Sequence, residues 1–251
     1  METITSRQNA LCSLIRKLAT SSQTRKKEGL FLCDSPKLMQ EALAHGIEVN
    51  TLVCTQGMTM PQVGASVRQV EVPAEVMQSI SPMQSPQGLL GVCALPDATL
   101  PQTLTGNHYV VLDTVQDPGN VGTILRTADA FGADGLLLTG NCADLYNPKT
   151  LRASMGAAFR CKVWNCAYAQ LETLLQESAL PMYGAALRDD TIDARQADYT
   201  RCAIAIGSEG KGLSAQMLTL CEKTLKIPMQ PHCESLNAAS AATVLLWEMF
   251  R

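Results

Sequence analysis

Aromatic side chains make up only 4% of this 251-residue chain, and histidine occurs three times. With Ala, Leu, Val and Met plentiful instead, the composition suits helices packed against a parallel sheet better than a β-sandwich. Long apolar runs are missing as well. Stretches such as 135–138 and 243–247 are far too short to span a bilayer. The first twenty residues interleave Arg7, Arg16 and Lys17 with apolar positions, so they lack the apolar centre of a secretion signal. These absences predict a cytoplasmic protein without a membrane segment. Cysteine itself is not scarce, but its binding patterns are. Ten cysteines are scattered from Cys12 to Cys233 with no C-x-x-C and no cysteine–histidine pairing at zinc spacing. Reduced, mostly buried thiols and no metal are expected.

Excess positive charge is also lacking, since the formal net charge is −3. Its distribution is uneven, however. Residues 1–28 carry Arg7, Arg16, Lys17, Arg25, Lys26 and Lys27 against only Glu2 and Glu28. Such a cluster is either a phosphate-contacting surface or a solvated helix face. Arg7, Arg25, Lys26 and Lys27 are the candidate phosphate contacts.

Turn-rich and periodic segments divide the chain. An apolar stripe at Ala10, Leu11, Leu14, Ile15 and Leu18 predicts a first helix, and a polar loop over 21–29 follows it. A strand over 30–33 and a helix opened by Ser35-Pro36 come next. Strands over 51–55, 67–72 and 88–95, with a short helix over 74–79, complete a small α/β unit at residues 1–95. Residues 96–107 are polar, hold Pro96 and Pro101, and read as a linker. From residue 108 strands and helices alternate, which predicts βαβ units and a parallel sheet over 108–251.

Ligands of such sheets bind beyond the carboxyl ends of the strands, and three loops there are polar. The first runs Asp117-Pro118-Gly119-Asn120-Val121-Gly122, with Asn120 at a helix-cap position and Arg126 one turn after Gly122. The second is Gly207-Ser208-Glu209-Gly210-Lys211-Gly212, after the apolar strand 202–206. It fits neither the dinucleotide fingerprint nor the phosphate loop, and alone it reads as a turn. The third joins Ile227-Pro228-Met229 to Ser235-Leu236-Asn237, where Ser-x-Asn alone is only a helix cap.

Taken together, the order and spacing of the three loops resemble the SpoU (TrmH) family of RNA 2′-O-ribose methyltransferases. The resemblance covers 108–251 and extends through Tyr146-Asn147-Pro148-Lys149 and Arg152-Ala153-Ser154-Met155-Gly156-Ala157. More loosely, Ser6-Arg7-Gln8-Asn9 and Arg25-Lys26-Lys27-Glu28-Gly29 are similar to the ribosomal-protein-like RNA-binding domain that precedes many members. The resemblance implies a trefoil-knotted parallel-sheet domain behind a small α/β RNA-binding domain, a homodimer, and S-adenosylmethionine as methyl donor without a metal. It places Thr139, Gly140, Gly207, Ile227, Met229 and Leu236 at the donor. It places Arg126 at the reacting ribose, as base or as oxyanion stabiliser, with Asn120, Glu209, Ser235 and Asn237 in support. Ribosomal RNA is the expected substrate. Transfer RNA, or a non-catalytic RNA-binding role, are the alternatives. The chain departs from the family pattern at Pro231, where glycine is usual, and at Ala239, where serine is common.

Overall fold

The computed structural model describes residues 2–233 and 235–251. It divides into two compact units. One comprises 1–97 with 144–159, and the other 98–143 with 160–251.

The first unit is built on β1 (Glu2–Thr3), α1 (Ala10–Thr20), α2 (Ser22–Glu28), β2 (Leu30–Cys33), α3 (Pro36–Ala44), β3 (Val49–Thr55), β4 (Arg68–Val72), α4 (Ala74–Ile80) and β5 (Leu89–Ala94). Its strands form one mixed sheet in the order β1-β4-β3-β5-β2. Asn9 caps α1 by accepting from Leu11 N, and the helix turns Leu11, Cys12, Ile15 and Leu18 into a core shared with Val53, Val70 and Leu90. The expected loop over 21–29 is a helix instead. Ser21 caps α2, and Gly29 closes it at φ 65°, a left-handed conformation that glycine adopts without steric cost.

The second unit holds β6 (His108–Asp113), α5 (Pro118–Phe131) and β7 (Gly135–Thr139). The chain then returns to the first unit with α6 (Pro148–Ser154) and most of α7 (Ala157–Arg160). It continues in the second with β8 (Val163–Asn165), α8 (Tyr168–Glu177), β9 (Met182–Ala185), β10 (Ile192–Asp193), β11 (Cys202–Gly207), α9 (Ala215–Leu220), β12 (Lys223–Lys226) and α10 (Ala238–Phe250). The seven strands lie in the order β10-β12-β9-β11-β6-β7-β8, every pair parallel. All residues of β7 and β11 are buried, as a parallel sheet covered on both faces requires.

Two boundaries differ from the expectation. The stretch 96–107 is not a free linker, because Leu104 is buried in the second unit's core. Leu104 N donates to Ser178 Oγ at 2.8 Å, and Gly106 N to Tyr109 OH at 2.8 Å. Residues 144–159, expected within the second domain, pack instead on the first. Tyr146 and Phe159 lie against Phe31, and Arg152 pairs with the buried Asp34. All ten cysteines are free, and only Cys233 is exposed.

Candidate active site

Three adjacent strands, β12, β9 and β11, end at one cavity of about 430 Å³. Gly207 and Glu209 line it from the loop after β11, Ile227 and Met229 from the loop after β12, and Ser235 and Leu236 from the approach to α10. Ala238, Ala241 and Leu245, which share one face of α10, form an apolar wall. Met229 and Leu236 are each 40% exposed, so apolar surface stands open to a ligand. Glu234, between Cys233 and Ser235, lies outside the described residues.

The loop after β11 is closed on itself. Ser208 N donates to Gly212 O at 3.1 Å and Gly212 N to Ser208 O at 2.9 Å, which leaves Glu209, Gly210 and Lys211 at its tip. The closure brings Gly212 so near that a Cβ on Gly207 would lie 2.1 Å from the Gly212 carbonyl carbon. Glycine at 207 is therefore a steric necessity.

Glu209 also belongs to a chain of polar side chains. Asn120 Nδ2 donates to Glu209 Oε1, and Asn237 Nδ2 donates to Asn120 Oδ1 at 3.2 Å. Asn120 can bridge in this way because Asp117, not Asn120, caps α5 by accepting from Asn120 N. Asn237 serves twice, since its Oδ1 accepts from Ala239 N and Ser240 N and so caps α10. Arg126 stands exposed further along α5, with no hydrogen bond or ion pair among the described residues. Thus Asn120, Glu209 and Asn237 are joined, Ser235 lies on the cavity, and Arg126 is left open to an external partner.

Thr139 and Gly140 do not line the cavity. They end β7, which lies on the far side of β6 from β11 in the sheet. A Cβ on Gly140 would meet Thr114 Cγ2 at 2.5 Å and Tyr168 OH at 2.9 Å. Sequence reasoning passed over the group that packs there. Asp113, fully buried at the end of β6, accepts from Tyr168 OH and from Ser214 N, both at 2.7 Å. This carboxylate ties the start of α9, and with it the end of the Gly207 loop, to the end of β6. Burial raises the Tyr168 hydroxyl above its ordinary pKa and pushes Cys142, beside it in the turn after β7, up to about 11. An acid closing a strand of four apolar residues was the signal available in the sequence.

Arg25 is also not where an RNA contact requires it. It is 2% exposed, its Nε donating to Asp144 Oδ2 at 2.8 Å and its Nη1 to Leu18 O at 2.6 Å. It is a structural cation. Arg7, Lys26 and Lys27 are exposed. The two departures from the family pattern replace no side chain of the hydrogen-bonded Asn120–Glu209–Asn237 chain. Pro231 sits in a turn closed by Cys233 N to Gln230 O, and Ala239 is buried away from the cavity.

A parallel α/β sheet with its cavity at the carboxyl strand ends defines an open α/β protein whose small-ligand site lies at that edge. Comparison with known proteins makes this specific. Residues 107–247 match the model of the SpoU rRNA Methylase family and residues 9–91 that of the MRM3-like substrate binding domain. The chain belongs to the SpoU methylase family. It is 30% identical to the 23S rRNA (guanosine(2553)-2′-O)-methyltransferase RlmP of Bacillus subtilis, over 99% of both chains. The crystal structure of the SpoU methyltransferase AviRb from Streptomyces viridochromogenes, in complex with AdoMet, superposes with a TM-score of 0.89 at 28% identity. That match covers 97% of this chain and 98% of that one. An AdoMet-bound rRNA methyltransferase from Sinorhizobium meliloti gives 0.87 at 29% identity, over 99% and 97%.

Proposed function

We propose that this chain transfers a methyl group from S-adenosylmethionine to a ribose 2′-hydroxyl of ribosomal RNA. The observation that carries this is one cavity bordered by Gly207, Ile227, Met229 and Leu236, with the Asn120–Glu209–Asn237 chain at its edge. Its volume falls within the usual range for small-ligand sites, roughly 300–1,000 Å³. Its apolar wall and backbone-rich loops suit a donor whose faces are an adenine and an aliphatic chain. The ribosomal substrate is favoured over transfer RNA because similarity to rRNA methyltransferases runs over both units.

The bound donor supplies an activated sulfonium methyl, so the protein needs only to align a nucleophile. Held by Gly207, Ile227, Met229 and Leu236, the donor would supply its methyl carbon to the 2′-oxygen and keep the sulfur as a neutral thioether, and the hydroxyl proton would pass to water. Arg126 is suited to hold the developing 2′-oxyanion, because a guanidinium keeps its protons and offers several donors. Glu209, held by Asn120, would accept from the ribose or orient Arg126. Two further features follow the family pattern: a knotted second domain, and a cytoplasmic homodimer that covers Val244 and Trp247, 36% and 57% exposed on α10. Light scattering at micromolar concentration should give twice the chain mass.

The direct test is to incubate the protein and S-adenosylmethionine with unmodified large-subunit ribosomal RNA and map 2′-O-methylation. A single modified nucleotide is expected. Methyl transfer to a base, or to no RNA while the donor is bound, would overturn the proposal.

A further inference from the structure

We infer that the first unit grips the phosphodiester backbone of the substrate RNA in a basic groove that none of the three family motifs includes. The groove, about 670 Å³, lies in the first unit between α1, the end of α4 and the start of α6. Arg16 and Lys17 enter it from α1, and Lys149 and Arg152 from α6. Among the described residues no carboxylate lines it, and the remaining polar lining, with Ser13, Thr20 and Asn147 among it, supplies hydroxyls and an amide. Four cations around one open groove are notable in a chain of net charge −3. They form the local positive field that a phosphate backbone seeks, with neutral hydrogen-bond donors between the charges.

The groove is also held in shape. Arg16 Nη2 donates to the Arg7 carbonyl at 2.7 Å, which fixes that guanidinium against the preceding segment. Arg152 is anchored from behind by the buried Asp34, which takes up part of its charge. On the first wall Lys17 is exposed, and on the second Lys149, directly after Pro148 of α6. The two walls are far apart in sequence and meet only because 144–159 packs on the first unit. Charges, hydroxyls and one amide along its lining suit the uniform sugar–phosphate backbone, so the groove orients the strand.

This inference rests on the rRNA methyltransferase reading for the identity of its ligand. The test uses the full chain with Lys17→Glu, Lys149→Glu and the pair, measuring affinity for in vitro-transcribed large-subunit ribosomal RNA across a salt series. Each single change should weaken binding about fivefold or more. It should also flatten the log-affinity against log-salt slope by about 0.7 for every phosphate no longer neutralised. In Lys17→Glu, melting temperature and S-adenosylmethionine affinity should stay as in the parent, which separates loss of grip from loss of fold. If the parent methylates the RNA and the variants bind it with unchanged affinity and slope, the groove is not the grip. Loss seen only on intact ribosomal particles would overturn it in favour of an acidic protein partner. If RNA binding falls as expected but the parent transfers no methyl group, the groove stands and the catalytic reading fails.

Discussion

Arg126 and Gly207 show how differently two residues can matter. Arg126 has no internal partner among the described residues, so its value lies in what approaches it. Arg126→Ala should leave fold and donor affinity nearly intact while slowing methyl transfer roughly 10²–10³-fold, the cost of losing one oxyanion partner. Single-turnover assays with calorimetry on the same samples check this. Near-normal turnover would remove Arg126 from the chemistry. Gly207 acts through space it leaves empty. A methyl group there meets main-chain atoms of Gly212 and Leu213 that cannot rotate away. Gly207→Ala should weaken donor binding roughly tenfold or more, by analogy with other overpacked sites. Gly210→Ala, whose Cβ would meet nothing within 4 Å, is the matched control and should bind normally.

At the scale of elements, the β2–α6 contact responds to pH. Asp34 follows β2 and is buried against Arg152 of α6. Burial raises its pKa above the ordinary 3.8, and the charge and hydrogen bond of Arg152 bring it back only part of the way. Its Oδ1 finds no hydrogen-bond partner among the described residues. A carboxyl whose folded pKa is raised favours the folded state while protonated. That contribution is complete below 3.8 and is lost as pH rises through the folded value. Relative to Asp34→Asn, the parent should therefore lose stability as pH rises from about 4 towards neutrality. Melting curves at closely spaced pH values check this, and parallel curves for parent and variant would refute it.

For the whole molecule, the segment 144–159 packs with the first unit although it lies inside the stretch 107–247 that matches the SpoU family. Cleaving before residue 98 would strip that segment of Phe31, Asp34 and Arg25, the partners of Tyr146, Arg152 and Asp144. A fragment of residues 98–251 should keep its parallel sheet but expose 144–159. Limited proteolysis should cut the fragment there, at positions resistant in the full chain. If the segment is equally protected in both, its packing does not depend on the first unit.

The sequence by itself determined the parallel sheet, most of the elements and the three loops. Strand–helix alternation and glycine- and asparagine-rich turns are local signals, and they survive without knowledge of the partners. Asn120, Glu209 and Asn237 were legible in the same way, as motif residues. Only the tertiary structure decided which of the remaining residues share a site. Thr139 and Gly140 end a strand just as Gly207 does, but strand order puts β7 beyond β6 and away from the cavity. Arg25 belongs to a basic run whose other members face water, yet one turn of α2 points it at Asp144, more than a hundred residues on. Lys149 and Arg152 join Arg16 and Lys17 for the same reason. Charge and periodicity are properties of neighbours in sequence, whereas a pocket is made by neighbours in space, which packing alone selects.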